Sequence, residues 1–161
     1  MAASAPVVDI DIVSTADGIP AATAIRDWVQ SALAVSEKST AVSEVSVRVV
    51  DEAEMRTLNR DFRQQDKSTN VLSFPSGAIA GLPADAGRLL GDIVICAPVV
   101  AREAAEQGKQ LLHHWAHMVV HGVLHLRGYD HQSEEQAANM EALETQVLER
   151  HGIGNPYRAP R

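Results

Sequence analysis

Apolar and polar residues alternate from Val7 to Val13, with Val8, Ile10 and Ile12 on one face and Asp9 and Asp11 on the other, the period-two signature of a half-buried strand. From Pro20 the period lengthens. Ile25, Trp28, Val29, Ala32 and Leu33 recur at i, i+3, i+4, i+7 and i+8, which predicts an amphipathic helix opened by the proline. Alternation returns over Glu44 to Val50, with Val45, Val47 and Val49 on one side, for a second strand. Asp51 followed by Glu54 has the form of a helix start, and Met55, Leu58 and Phe62 supply a buried stripe. Val71 to Phe74, stopped by Pro75, reads as a short third strand. The run GDIVICA from Gly91 is apolar on both faces, so the fourth strand should be central or covered by a helix on each side. Pro98 opens a helix to about Gln107, interrupted at Gly108. The next helix carries Leu111, Leu112, Trp115, Met118, Val119, Val120, Val123 and Leu126 on nearly all sides and should be the central helix of the domain. Ser133 and Gln136 form a capping box for the last helix, which buries Ala137, Met140, Leu143 and Val147. Its other face, with Glu134, Glu135, Glu141, Glu144 and Glu149, reads as solvated surface.

The order β-α-β-α-β-β-α-α-α predicts an α+β (mixed α/β) fold, a sheet of about four strands packed with helices. One domain spans residues 1–161, with a mobile loop at 76–91, rich in Gly, Ala and Pro, and a short basic tail at 152–161 open to disorder. The 45% apolar and 22% charged residues are ordinary globular values. A single Cys excludes a disulfide framework and suits a reducing compartment. With neither a basic leader nor a long apolar run, the expectation is a soluble cytoplasmic protein without a membrane role. The net charge of -7 offers nucleic acid no general attraction, so any such role must rest on a local basic patch, helped by a metal's own charge.

The candidate chemistry lies between Leu111 and His131, which hold six of the seven histidines. His113, His117, His121 and His125 recur every four residues along one helix row. Members eight positions apart are separated by about 12 Å along the axis, so one ion can take only an i, i+4 pair from the helix. A third ligand must return from beyond the helix end, and Gly128 is the residue able to make that turn at positive φ. His121, His125 and His131 then form an i, i+4, i+10 set with glycine at i+7, the zinc spacing of metzincin peptidases. Those peptidases carry a general-base Glu after the first histidine, and here that position is Gly122. The spacing predicts one divalent ion per chain, zinc above all, in an open three-histidine site without the peptidase base. A purely structural zinc is disfavoured, because such sites are usually closed by four ligands and rich in Cys. His113, His114 and His117 are not assigned as ligands, although His117 lies one turn before the site, where it could pack beside them.

The run HGVLHLRGYDH, from His121 to His131, resembles the signature of the YbeY endoribonuclease family of bacterial metal-dependent rRNA maturation factors. Phe62-Arg63 with Asp66, the block Thr69 to Pro75, and Gly91-Asp92-Ile93 resemble the family's other blocks, so the likeness covers roughly residues 44–150. Ser68 stands where many members have Pro. The resemblance implies zinc on His121, His125 and His131 and a functional role for Arg63, whose planar fork of donors suits phosphate oxygens. It further implies single-strand-specific cleavage of RNA rather than DNA, in maturation of the 16S rRNA 3′ end and ribosome quality control, with the ribosome or its subunits and associated factors as partners. Two rival readings remain at this point. They are a metallopeptidase using the metzincin-like spacing, and a non-catalytic ribosome-assembly factor with a metal site.

Overall fold

The computed structural model describes residues 7–35, 44–75 and 89–157. Its elements, in chain order, are β1 (Val7–Ile12), α1 (Ala22–Val35), β2 (Glu44–Val50), α2 (Glu52–Arg63), β3 (Val71–Pro75), β4 (Leu89–Cys96), α3 (Ala97–Gln107), α4 (Leu111–Leu126) and α5 (Glu134–Arg150). The four strands form one sheet in the order β1-β2-β4-β3, within a single α+β domain. β1, β2 and β4 run parallel, and β3 pairs antiparallel with β4.

β4 is internal and covered on both faces, as its double-sided apolar run predicts. Strand side chains alternate between faces. Ile93 and Ile95 accordingly join Val45, Val47 and Val49 in the larger core, against Ile25, Trp28 and Val29 of α1, Trp115, Val119 and Val123 of α4, and Met140 and Val147 of α5. Val94 and Cys96 face the other way, into a smaller cluster with Val50, Met55, Leu72 and Val99. α4 is thus the helix around which the larger core closes, its buried residues lying on nearly every side. Leu112, near its start, is the exception and is exposed.

Several sequence expectations shift by a residue or a turn. β4 begins at Leu89, so the end of the expected loop 76–91 belongs to the sheet, and its remainder, 76–88, lies outside the described residues. α1 begins at Ala22, with Pro20 buried just before it. Ile12 is exposed although Val8 of the same face is buried, because β1 is an edge strand. Phe62 is exposed too, in the last turn of α2, where its ring stands edge-on to that of Phe74 with centres 5.2 Å apart. Asp51 occupies the N-cap of α2 but makes no capping bond, since its carboxylate takes the Ser14 hydroxyl instead. Residues 152–157 of the expected tail are held down: Ile153 is buried, and Tyr157 bonds to α5.

Candidate metal centre and groove

The return of His131 is built by the end of α4. Arg127 caps the helix, and Gly128 follows at φ +93°. Gly128 N–H donates to His125 O at 3.0 Å and Tyr129 N–H to Leu124 O at 3.0 Å, the paired bonds of a Schellman turn, with Tyr129 packed on the larger core. A Cβ on Gly128 would meet nothing within 4 Å, so the glycine is required by its backbone angle, not by space. Asp130 Oδ1 accepts His131 N–H at 2.8 Å and fixes the next turn, and Ser133 then caps α5 by accepting Gln136 N–H at 3.1 Å. The Gln136 side chain reaches back to Gln132 N–H rather than to Ser133, one residue beyond a simple capping box.

These turns bring the ligand nitrogens of His121, His125 and His131 within 4.8 Å of one another. His121 Nε2 and His125 Nε2 lie 3.0 Å apart. Tetrahedral coordination at roughly 2.0–2.1 Å asks for nitrogens about 3.4 Å apart, a spacing within the range this set spans, so the three histidines could hold a metal ion. Burial, together with the neighbouring His121 and His131, pushes the His125 imidazole below its ordinary pKa and favours the neutral form that a metal requires. His113 is not in this cluster. His114 is buried behind it, with Nε2 3.0 Å from Glu103 Oε1.

Glu144 is the main departure from the sequence reading. Expected on a solvated face, it is fully buried on the stripe of α5 formed by Met140, Val147 and Leu148. Its Oε2 accepts from His117 Nε2 at 2.6 Å and from His121 Nδ1 at 3.1 Å, while Oε1 accepts the Tyr157 hydroxyl at 2.6 Å. Burial alone would raise its pKa, but the hydrogen bonds from His117, His121 and Tyr157 prevail and hold the carboxyl at about 2. The signal was in the chain: spacing from Met140 and Val147 puts residue 144 on the apolar face, yet composition reads a Glu among other Glu as exposed. His117, His121 and Glu144 also lie close enough to form a second candidate ligand group, with His121 common to both.

The histidines open onto a groove of about 740 Å³ whose opposite wall is the segment from α2 to β3. Gln64 ends α2 in the left-handed region at φ 58° and turns the chain back. Asn59 Nδ2 donates to Lys67 O at 2.9 Å and Arg56 grips Asp66 through two bonds, pinning that wall. Arg63 lines the groove together with Lys67, Thr69, Asn70, His121, His125, Asp130 and His131. Its Nη2 donates to Ser73 O at 3.0 Å, leaving the other N–H donors for a ligand. The lining residues thus include two cationic side chains and one carboxylate, a local basic patch on a chain of net charge -7.

A family model described as Endoribonuclease YbeY matches residues 11–152, nearly the whole described chain, including the groove, the three histidines and the buried glutamate. This chain belongs to the endoribonuclease YbeY family. Curated endoribonucleases YbeY from Halorhodospira halophila and Alkalilimnicola ehrlichii are 54% and 52% identical to it. The first alignment covers 86% of this chain and 88% of the relative, the second 96% and 93%. The solution structure of TM1509 from Thermotoga maritima superposes with a TM-score of 0.56 at 25% identity, over 92% of this chain and 99% of that one. Membership makes the YbeY-family chain a nuclease-type hydrolase with RNA as its substrate class. Among the described residues no helix is long and apolar enough to cross a membrane.

Proposed function

We propose that this chain is a zinc-dependent endoribonuclease of single-stranded RNA, acting in the cytoplasm in maturation of the 16S rRNA 3′ end and in ribosome quality control, with the ribosome or its subunits and associated factors as partners. One zinc ion per chain is held by His121, His125 and His131, and Arg63 serves the phosphate. The observation that carries this reading is the shared groove, in which Arg63 and the three imidazoles line one space. A single strand can lay its backbone along a cleft of this kind and splay its unstacked bases beside it, as a stiff paired helix does not.

A zinc ion at the three histidines would supply Lewis acidity at a phosphate oxygen and acidify water. The chain's own part is positional and electrostatic. Arg63, tethered through one Nη to Ser73 O, presents its remaining donors to phosphate oxygens and stabilises the charge that grows on them in the transition state. Lys67 and Asn70 border the path of the strand on the same wall.

The peptidase reading meets a steric obstacle at Gly122, where the metzincin base would stand. A Cβ there would come within 3.0 Å of Ile93 Cγ2 and 3.4 Å of Ser73 Oγ, so a side chain at this position runs into the sheet instead of toward the histidines. The testing experiment measures metal content and cleavage of single-stranded RNA for the wild type and His125→Ala in parallel. Stoichiometric zinc with RNA cleavage, both lost in the variant, supports the reading. Zinc-replete wild type that leaves RNA intact while still binding ribosomal particles replaces it with the assembly-factor reading.

A further inference from the structure

Glu144 poses a physical problem that the proposed chemistry leaves untouched. A carboxylate buried in an apolar stripe is costly unless its oxygens are paired. Here they are well supplied: two imidazole N–H groups converge on Oε2, and a phenol O–H meets Oε1. A carboxylate only accepts, so each histidine bonded to it must present a protonated nitrogen. For His121 that nitrogen is Nδ1, and in the neutral ring the lone pair then falls on Nε2, the atom 3.0 Å from His125 Nε2.

We infer that Glu144 is the positioning residue of the metal centre, holding His121 in the Nδ1–H tautomer so that Nε2 is presented toward His125 and His131. The inference rests on the three-histidine zinc reading above. His117 differs from His121 in the way this role requires. Its Nε2 also donates to Glu144, but its nitrogens do not come together with those of His125 and His131, and its Nδ1 is buried with no hydrogen-bond partner among the described residues. His117 therefore supports the carboxylate, standing edge-on to His121 with ring centres 6.1 Å apart. Tyr157 supports it from the other side: its ring stands edge-on to His117 at 5.3 Å while its hydroxyl engages Oε1. The segment after α5, anchored by buried Ile153 and by the bond from Tyr157 N–H to Asn155 Oδ1, is in this way part of the metal centre's support. The second group of close donors, His117, His121 and Glu144, is accounted for by these hydrogen bonds without an ion.

The experiment is zinc affinity by chelator competition on Glu144→Gln and Glu144→Leu, each checked for folding by circular dichroism, with the His121 ring-nitrogen shifts of the zinc-loaded proteins read by NMR. Glutamine keeps an acceptor oxygen but loses the charge, and should weaken zinc binding a few-fold with the Nδ1–H signal retained. Leucine removes the acceptor and should weaken it roughly 10–100-fold, the range typical of lost partners behind metal-bound histidines. A role confined to folding would lower stability and leave the affinity of the folded protein unchanged. A folded Glu144→Leu that binds zinc as tightly as wild type overturns the inference. Where the leucine variant does not fold, unchanged affinity in Glu144→Gln overturns it. Wild type that binds no zinc overturns the functional reading itself, a separate result from either variant's.

Discussion

Gly122→Ala tests how closely the ligand-bearing helix is seated on the sheet. The substitution gains helix propensity, about 1 kcal/mol for Gly to Ala in a helix interior. Against this, the new Cβ would stand 3.0 Å from Ile93 Cγ2, 3.4 Å from Ile93 Cδ1 and 3.4 Å from Ser73 Oγ. Ile93 is fully buried in the central strand, and Ser73 Oγ is engaged as donor to Gly122 O at 3.0 Å, so neither yields freely. Overpacking of this kind costs roughly 1–3 kcal/mol. The net expectation is a loss of about 1 kcal/mol, or about 2–4 °C in Tm for a chain of this size. Thermal and urea unfolding of the metal-free protein measure it. Adding Ile93→Ala should make the two changes less than additive, because it removes the atom that is struck. Gly122→Glu, which would complete the metzincin spacing, should lose several kcal/mol through a buried unpaired charge and gain no peptidase activity. A Gly122→Ala variant more stable than wild type would refute the close seating of α4 on β4.

Gly128→Val should lose stability by about 1–2 kcal/mol and also weaken zinc binding, since a β-branched residue is strained at φ +93° while no neighbour stands in its way; full zinc occupancy at limiting metal would mean the turn tolerates another path. Arg63→Ala should keep fold and metal yet lose most single-stranded RNA cleavage, with Arg63→Lys recovering it only in part because a point charge replaces the planar fork; gel-based cleavage of zinc-loaded proteins decides this, and an Arg63→Ala variant as active as wild type removes Arg63 from the chemistry. His114 has its pKa pushed below 6.5 by burial, against the opposing pull of Glu103. The unfolded chain therefore takes up that proton first, and the His114 contribution to stability falls as pH drops below about 6.5. Urea titrations of metal-free protein between pH 7.5 and about 5.5 should show a shallower acid loss in His114→Gln than in wild type.

The elements and the candidate histidine cluster were legible because both depend on short-range regularities. Period-two runs locate the first two strands, a short run stopped by Pro75 the third, the double-sided apolar run at Ile93 to Ile95 marks the internal one, and a glycine at i+7 signals the turn that returns His131. Each is a constraint of backbone geometry that acts over a dozen residues or fewer. The position of Glu144 on the apolar face of α5 could be read from its spacing, but the burial of its charge could not, and neither could the anchoring of Tyr157. Whether a carboxylate on α5 is solvated or buried depends on what α4 places opposite it, and the charge is tolerated only because His117 and His121 of α4 and Tyr157 after α5 arrive with donors. The groove is likewise a tertiary product: Arg63 and His131 lie far apart in sequence and share one wall-to-wall space only after β3 pairs with β4 and α4 crosses the sheet. The sequence by itself determined which residues could bind a metal and where the backbone turns, since those follow from local geometry. Tertiary structure decided which histidine nitrogens meet Glu144 and which arginine shares a groove with the three imidazoles, since both depend on groups that only folding brings together.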